Sequence, residues 1–169
     1  DVLRRYSVSG LVESGAIGKS AVANVIEGLS KTKGVKELNA KKGMKIDLGG
    51  GAVIEVLYPD RDATNMETNT SSIIAKLTYG KNSFLFTGDS PERVENYLAS
   101  LYGQKLDSDV YKVSHHGSKN SNSKLFIGFV SPEYSVISVG AKNRYGHPNQ
   151  EVLDILEGFN SKILRTDQE

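Results

Sequence analysis

Two segments of the chain place residue types that bind metals directly after apolar runs. The first is Phe84-Leu-Phe-Thr-Gly-Asp-Ser90, and the second is Asp109-Val-Tyr-Lys-Val-Ser-His-His-Gly-Ser118. The apolar runs predict buried strands, one ending at Asp89 and the other at His115 and His116. Because sites in open α/β sheets lie at the carboxyl ends of strands, these side chains are expected at one rim of one sheet. A carboxylate can bridge two metal ions and imidazoles can complete such a site, which predicts metal-dependent chemistry.

Asp89 has two interpretations. Gly88 can kink the chain and turn the carboxylate across the sheet rim, which favours a ligand that bridges two metals. Alternatively, Asp89 accepts backbone N–H groups at the start of a helix. Ser90 and Pro91 indicate that helix start, because they are residue types typical of a cap and a first turn.

The histidines of the sequence are His115, His116 and His147. If the strand continues through the His-His pair, successive side chains alternate, so one imidazole points into the site and the other away from it. The alternative is a histidine pair on a surface loop. His147 stands at a predicted helix start, where it could donate to a leaving group or bind a phosphate oxygen, or act only as a helix cap.

Composition limits the function classes. The 169 residues contain no cysteine, which excludes disulfides and thiolate metal ligands. The formal net charge of +1 provides no global field toward nucleic acid or membrane. No apolar run approaches the roughly 20 residues of a membrane helix. A chain of this length is one domain or part of one, and it can bury a real core.

Five short motifs, in this order, resemble the C-terminal half of a metallo-β-lactamase-fold hydrolase. The branch that they resemble is the hydrolase domain of the bacterial DNA-uptake channel protein ComEC, with its stand-alone relatives. The resemblance covers roughly residues 69 to 167. The motifs are Phe-Thr-Gly-Asp ending at Asp89, His-His-Gly-Ser from His115, Ile-Ser-Val-Gly-Ala-Lys-Asn ending at Asn143, Tyr-Gly-His-Pro ending at Pro148, and Arg-Thr-Asp from Arg165.

The resemblance implies an α+β fold, the αββα metallo-β-lactamase sandwich. Two mostly antiparallel sheets are expected to pack face to face, with helices at Lys19 to Lys31, Pro91 to Tyr102 and Pro148 to Glu157 on the outside. Strands dominate the first half of the chain, and strands alternate with helices in the second. We interpret residues 1–169 as a single metallo-β-lactamase-like domain, truncated at its N-terminus and incomplete at both ends.

The most diagnostic motif of the family, His-x-His-x-Asp-His, is absent, because no histidine precedes His115. The expectation is a fragment that begins after this motif, with a chain that lost its metal site as the alternative. The fragment is therefore expected to bind metal weakly or not at all and to be inactive. The full-length protein is expected to bind two divalent ions, zinc or manganese, and no small organic cofactor.

The family also implies roles for individual residues. Asp89 would bridge the metals and His115 would complete the second one, although His115 and His116 could exchange roles. His147 would join them as a catalytic residue. Asn69 stands where many superfamily members place another metal-binding histidine, and it would be a weak ligand or shape its loop. The substrate-binding set implied is His116, Ser118, Asn143, His147 and Asn69, with Lys142 and Arg144 as further candidates for holding an anion.

The function that the resemblance implies is metal-dependent, nuclease-like hydrolysis of a phosphodiester. The expected partners are DNA, single-stranded or double-stranded, and an attached membrane channel domain. The expected location is outside the cytoplasm or at the membrane of a bacterium, and composition is also compatible with the cytoplasm. Two alternatives stay open: hydrolysis of another ester or amide, such as a choline-phosphate ester or a lactone, and a non-catalytic binding module that has lost its metals.

Overall fold

The computed structural model describes residues 1–18 and 20–168. Strands and helices alternate in its second half, and a hairpin-rich region precedes them. The strands are β1 (Gly10–Glu13), β2 (Lys36–Asn39), β3 (Lys45–Gly49), β4 (Ala52–Tyr58), β5 (Ile74–Tyr79), β6 (Asn82–Phe86), β7 (Val110–Lys112), β8 (Tyr134–Ile137) and β9 (Lys162–Arg165). The helices are α1 (Val2–Arg5), α2 (Ala21–Lys33), α3 (Glu92–Tyr102), α4 (Lys124–Val130) and α5 (Gln150–Gly158).

Strands β3 to β9 form one seven-stranded sheet in which spatial order follows chain order. Strands β3 to β6 pair antiparallel, with short turns joining β3 to β4 and β5 to β6 and a longer loop, residues 59–73, joining β4 to β5. Strands β6 to β9 pair parallel, and α3, α4 and α5 provide the crossovers between them. Parallel pairing requires such crossovers, because each strand must return to the same end of the sheet. The carboxyl ends of β6, β7 and β8 therefore meet at one rim.

The predicted α+β class, with a sheet flanked by helices, is confirmed, and two details are corrected. Within the described part of the chain the second sheet consists of β1 and β2 alone, and these strands are parallel. The large sheet is not mostly antiparallel, because half of its strand pairs are parallel. The reason is the strand–helix alternation of residues 82–165, which favours parallel pairing over hairpins.

The three predicted helices are present with later starts. The predicted start of the first, Lys19, lies outside the described residues, and α2 is seen from Ala21. Pro91 has an extended backbone and stands before α3 as its cap. Asn149 has the same role for α5, which begins two residues after the predicted start at Pro148. None of the helices in the described ranges is long and apolar enough to cross a membrane.

The core lies between the large sheet and the helices that follow β6. Each large apolar side chain buried there contributes roughly 1.5–3 kcal/mol relative to an exposed one. This packing fixes the strand ends from which the candidate site is built. The fully buried apolar side chains include Ile74, Leu85, Leu98, Leu106, Tyr111, Val113, Phe126, Ile127, Val130, Ile137 and Leu156.

A buried hydrogen-bond network joins the ends of β6 and β7. The Ser114 hydroxyl donates to Thr87 Oγ1 at 2.8 Å, and the Tyr111 hydroxyl donates to Asn122 Oδ1 at 2.9 Å. The Asn122 amide donates to the Ser114 carbonyl at 3.0 Å, which closes the network. Because an unpaired polar group is costly in a dry interior, these bonds hold the two site-bearing segments in one relative position.

Glu95 predicts a measurable pH dependence of stability. The side chain is fully buried, Oε2 accepts the Ser123 N–H at 2.8 Å, and Oε1 has no partner. Burial raises the pKa of Glu95 above its ordinary value. A carboxyl with a raised folded-state pKa contributes stability that is full below its unfolded pKa and is lost as pH rises through the folded pKa.

The test compares Glu95→Gln with the parent protein by urea unfolding between pH 4 and 8. The parent is expected to lose about 1–3 kcal/mol relative to the variant as pH rises, because glutamine never acquires the buried charge. Other titrating groups are present in both proteins and cancel in the difference. A stability difference that stays constant over this pH range would contradict the prediction.

Candidate metal centre

The rim formed by β6, β7 and β8 brings the predicted site residues together. Asp89 Oδ1 lies 3.7 Å from His116 Nε2. The ring of His115 lies with its centroid 5.9 Å from that of His147 and 6.4 Å from that of His116. Residues that are far apart in sequence thus form one cluster at the carboxyl ends of parallel strands, as sites in such sheets do.

The His-His segment is a turn and not a continuing strand. Strand β7 ends at Lys112, and His115 and His116 have φ angles of 48° and 57°. Alternation along a strand therefore does not decide which imidazole faces the site. The His115 N–H donates to the carbonyl of Gly88 at 3.0 Å, which fastens this turn to the segment before Asp89.

Gly117 fastens the same turn to the His147 loop. Its φ of 83° suits glycine, and a Cβ there would lie 2.5 Å from Cβ and 3.0 Å from Cα of Pro148. The Asn149 N–H donates to the Gly117 carbonyl at 2.9 Å. Only a residue without a side chain allows this approach, so Gly117 sets the distance between the histidines of the two loops.

The hydrogen bond of His116 defines which of its nitrogens is free. Nδ1 lies 2.6 Å from the carbonyl oxygen of Ser138, just after β8. A carbonyl can only accept, so Nδ1 carries the proton and the neutral ring keeps a lone pair on Nε2. That lone pair faces Asp89 Oδ1 at 3.7 Å, an arrangement that a cation between the two atoms would stabilise. Metal-binding histidines typically donate their other N–H to a carbonyl in this way.

The geometry therefore favours His116 over His115 as the partner of Asp89. This is the reverse of the roles expected from sequence for the two histidines. The cause is the left-handed backbone at both positions, which turns the His116 ring toward Ser138 and Asp89. Both Asp89 and His116 stay accessible, with side-chain exposures of 44% and 47%.

Asp89 and His116 fit two ligands of a divalent metal. Across residues 1–18 and 20–168, no group of three or more His, Cys, Asp or Glu side chains could hold a metal ion. A catalytic zinc usually has three protein ligands, so the described residues supply an incomplete site. Lys112, missed in the sequence, is near enough for the Asp89 charge to raise its pKa, while the larger effect of burial lowers it.

His147 is held beside this pair in a neutral state. Burial lowers its pKa, and the nearby His115 and His116 lower it further, because each would repel a charged imidazole. Its Nδ1 is buried and has no hydrogen-bond partner among the described residues. A neutral ring carries one N–H and one lone pair, so His147 can donate a hydrogen bond at one nitrogen and take a proton at the other.

Asn143 holds the loop that carries His147. Its Oδ1 accepts the His147 N–H at 3.0 Å, and its Nδ2 donates to the His147 carbonyl at 2.8 Å. The same amide also donates to the carbonyl of Gly140 at 3.0 Å. Both ends of the side chain thus bond within this loop, and because Asn143 also lines the adjoining pocket, its contact with substrate stays a prediction.

Ser118 and Asn69 both make backbone hydrogen bonds within their own turns, and their contacts with substrate stay predictions. Ser118 is buried, and its N–H donates to the His115 carbonyl at 3.0 Å, which makes it part of the turn. Next to Asp89 the structure places Ser72 rather than Asn69, with the Ser72 hydroxyl accepting the Asp89 N–H at 3.1 Å. No local pattern marks Ser72, since this contact depends on how the preceding loop folds back on the β6 end.

Comparison with known proteins identifies sequence relatives of this chain, although no family model matches it. It is 39% identical over 100 residues to ComE operon protein 3 of Bacillus subtilis, covering 59% of this chain and 13% of that protein. It is 38% identical over 117 residues to Competence protein ComA of Neisseria gonorrhoeae, and the match covers 69% of this chain and 17% of that protein. It is 33% identical over 116 residues to Recombination protein 2 of Haemophilus influenzae, and the match covers 69% of this chain and 14% of that protein. The chain thus spans less than a fifth of each of these relatives.

Solved structures share the fold. A protein assigned as a metal-dependent hydrolase from Parabacteroides distasonis superimposes with a TM-score of 0.54 at 12% identity, covering 98% of this chain and 80% of that one. The diiron β-hydroxylase CmlA from Streptomyces venezuelae gives a TM-score of 0.57 at 12% identity, and the superposition covers 89% of this chain and 38% of that one. At this identity the likeness concerns the fold alone. With the sequence relatives and the ordered motifs, it shows that the chain has the ComEC-like metallo-β-lactamase fold.

Proposed function

We propose that the domain hydrolyses phosphodiester bonds of DNA with the help of divalent metal. The observation that carries this proposal is the Asp89–His116 pair, facing each other at 3.7 Å with the His116 proton committed to Ser138. The relatives named for competence and recombination support a nucleic acid substrate. The neighbour assigned as a metal-dependent hydrolase supports the reaction class.

In this proposal Asp89 and His116 hold metal, and the remaining ligands come from outside residues 1–18 and 20–168. Bound metal would supply an activated water and neutralise charge that develops on the phosphate. The Ser138 carbonyl keeps the His116 ring in the tautomer that leaves Nε2 free. His115, next to His147, is an additional ligand candidate, and zinc and manganese both suit this mixed oxygen and nitrogen donor set.

His147 would act as the base in a proton-transfer step of the hydrolysis, taking a proton from water. Its lowered pKa keeps the ring neutral near pH 7, so that it can donate through one nitrogen and accept through the other. Asn143 holds the His147 backbone in place, which keeps the ring at a fixed distance from His115.

The names of the relatives support a place in competence. We propose that the domain acts outside the cytoplasm or at the membrane of a bacterium, beside a channel domain through which DNA passes.

The test measures metal content and hydrolysis in the full-length protein, loaded with zinc or with manganese. The substrates are single-stranded and double-stranded DNA, a choline-phosphate ester and a lactone. DNA cleavage that needs metal and stops with a chelator is the expected result. Cleavage of only the choline ester or the lactone would overturn the DNA assignment while keeping the fold and the metals.

A binding module without metals is the second candidate. The number of ligands favours this candidate. The described residues supply two protein ligands, Asp89 and His116, whereas a catalytic metal usually has three. For such a module, DNA binding would be unaffected by chelator, metal would be absent from the purified protein, and no substrate would be cleaved.

A further inference from the structure

A pocket of about 480 Å³ adjoins the candidate metal centre. It shares His116 and His147 with that centre and extends over the segment after β8 to Tyr145 and Thr166. A pocket of this size is within the range of small-ligand sites. Its position predicts that it receives the part of a substrate next to the reacting bond.

Tyr145 offers an aromatic surface in this pocket. Its ring stacks on His147, with centroids 5.9 Å apart and planes at 19°, and the residue is 66% exposed. His147 and Arg144 both contact this ring, and the surface that remains exposed can stack a planar group. Every nucleobase has such a face, and stacking does not depend on its sequence.

The charge around Tyr145 is positive. The Arg144 guanidinium lies 5.1 Å from the ring centroid, and its Nη2 donates to the Tyr145 hydroxyl at 2.9 Å. Lys142 is exposed on the same loop, and the segment from Val139 to Gln150 contains no Asp or Glu. Arg144 beside the ring and Lys142 on the same loop favour an anionic ligand and repel a quaternary ammonium such as choline.

We propose that this pocket is a subsite for an unpaired nucleobase, which stacks on Tyr145 while Arg144 and Lys142 contact the adjoining phosphate. The proposal rests on the proposed function and adds to it the form of the substrate. A base can stack on a protein ring only when it has left its own duplex, so the pocket selects single-stranded or locally opened nucleic acid over paired duplex.

The experiment measures the affinity of the full-length protein, in chelator, for a fluorescent single-stranded DNA oligomer and for an abasic oligomer of equal length. Tyr145→Leu is expected to weaken binding of the base-bearing oligomer by about 5- to 150-fold, the range for one lost stacking contact. Tyr145→Phe should bind like the parent protein. Tyr79→Leu is the matched control, since Tyr79 is also exposed but lies at the opposite end of the sheet.

The abasic oligomer separates stacking from charge. It is expected to bind equally to the parent and to Tyr145→Leu, because the phosphates are unchanged. Equal loss for both oligomers, no loss in Tyr145→Leu, or a loss in Tyr145→Phe as large as in Tyr145→Leu would overturn the inference. If Tyr145→Leu loses affinity only for the base-bearing oligomer but the metal-loaded protein cleaves no DNA, the proposed hydrolysis is wrong and the nucleobase subsite is still supported.

Discussion

Replacing Asp89 by alanine is expected to remove bound metal and to lower DNA hydrolysis by about three orders of magnitude or more. Asp89 is the carboxylate that faces His116 Nε2, so its loss leaves the imidazole without an opposing ligand. Metal content by mass spectrometry and turnover in the full-length protein measure the two effects. Asp89→Asn keeps the shape without the charge, and it should lose metal and turnover as well.

The folded state itself should tolerate the Asp89→Ala change. The side chain is 44% exposed, and the groups described beside it are the imidazole of His116 and the amine of Lys112. The free energy of unfolding of the metal-free protein should therefore change by no more than about 0.5 kcal/mol, as it does for substitutions at other surface sites. Asp154→Ala, at an exposed carboxylate on α5, is the matched control and should keep metal and activity. Full metal and full turnover in Asp89→Ala would mean that the hydrolase mechanism is wrong and would favour the binding module.

The strands that carry the site were predictable because their signals are local. The apolar runs before Asp89 and before His115 end in small polar residues, and both strands form, although β6 ends at Phe86 and β7 at Lys112, three residues before Asp89 and His115. Proximity of the strand ends also followed, since the strand–helix alternation after β6 implies parallel neighbours with their carboxyl ends together. The direction of pairing was harder to predict. The resemblance implied mostly antiparallel sheets, whereas the strand–helix alternation after β6 produces parallel pairs.

The individual roles of the histidines were not predictable from local pattern. His115 and His116 are adjacent and identical in type, and their directions depend on a left-handed turn. That turn is held by contacts from elsewhere in the chain: Gly117 against Pro148, and His116 against the Ser138 carbonyl. Such long-range contacts leave no periodic signal in the sequence.

His147→Ala is expected to leave metal bound while slowing turnover by about 10²- to 10⁴-fold, the usual contribution of a positioned acid or base. The reason is geometric. His147 contacts the ring of His115, Asp89 faces His116 instead, and the lowered pKa of His147 keeps its ring neutral. Its side chain is thus free to act on substrate without contributing to the metal pair.

The matched control for this prediction is Gln150→Ala, three residues later, where the side chain donates only to Asp154 on its own helix. It should keep both metal and turnover. Asn143→Ala is expected to slow turnover less than His147→Ala, because it frees the His147 backbone but keeps the imidazole. Metal content and single-turnover rates of all three variants decide the role of the histidine. Loss of metal from His147→Ala would make His147 a ligand, and unchanged turnover would exclude it from the reaction.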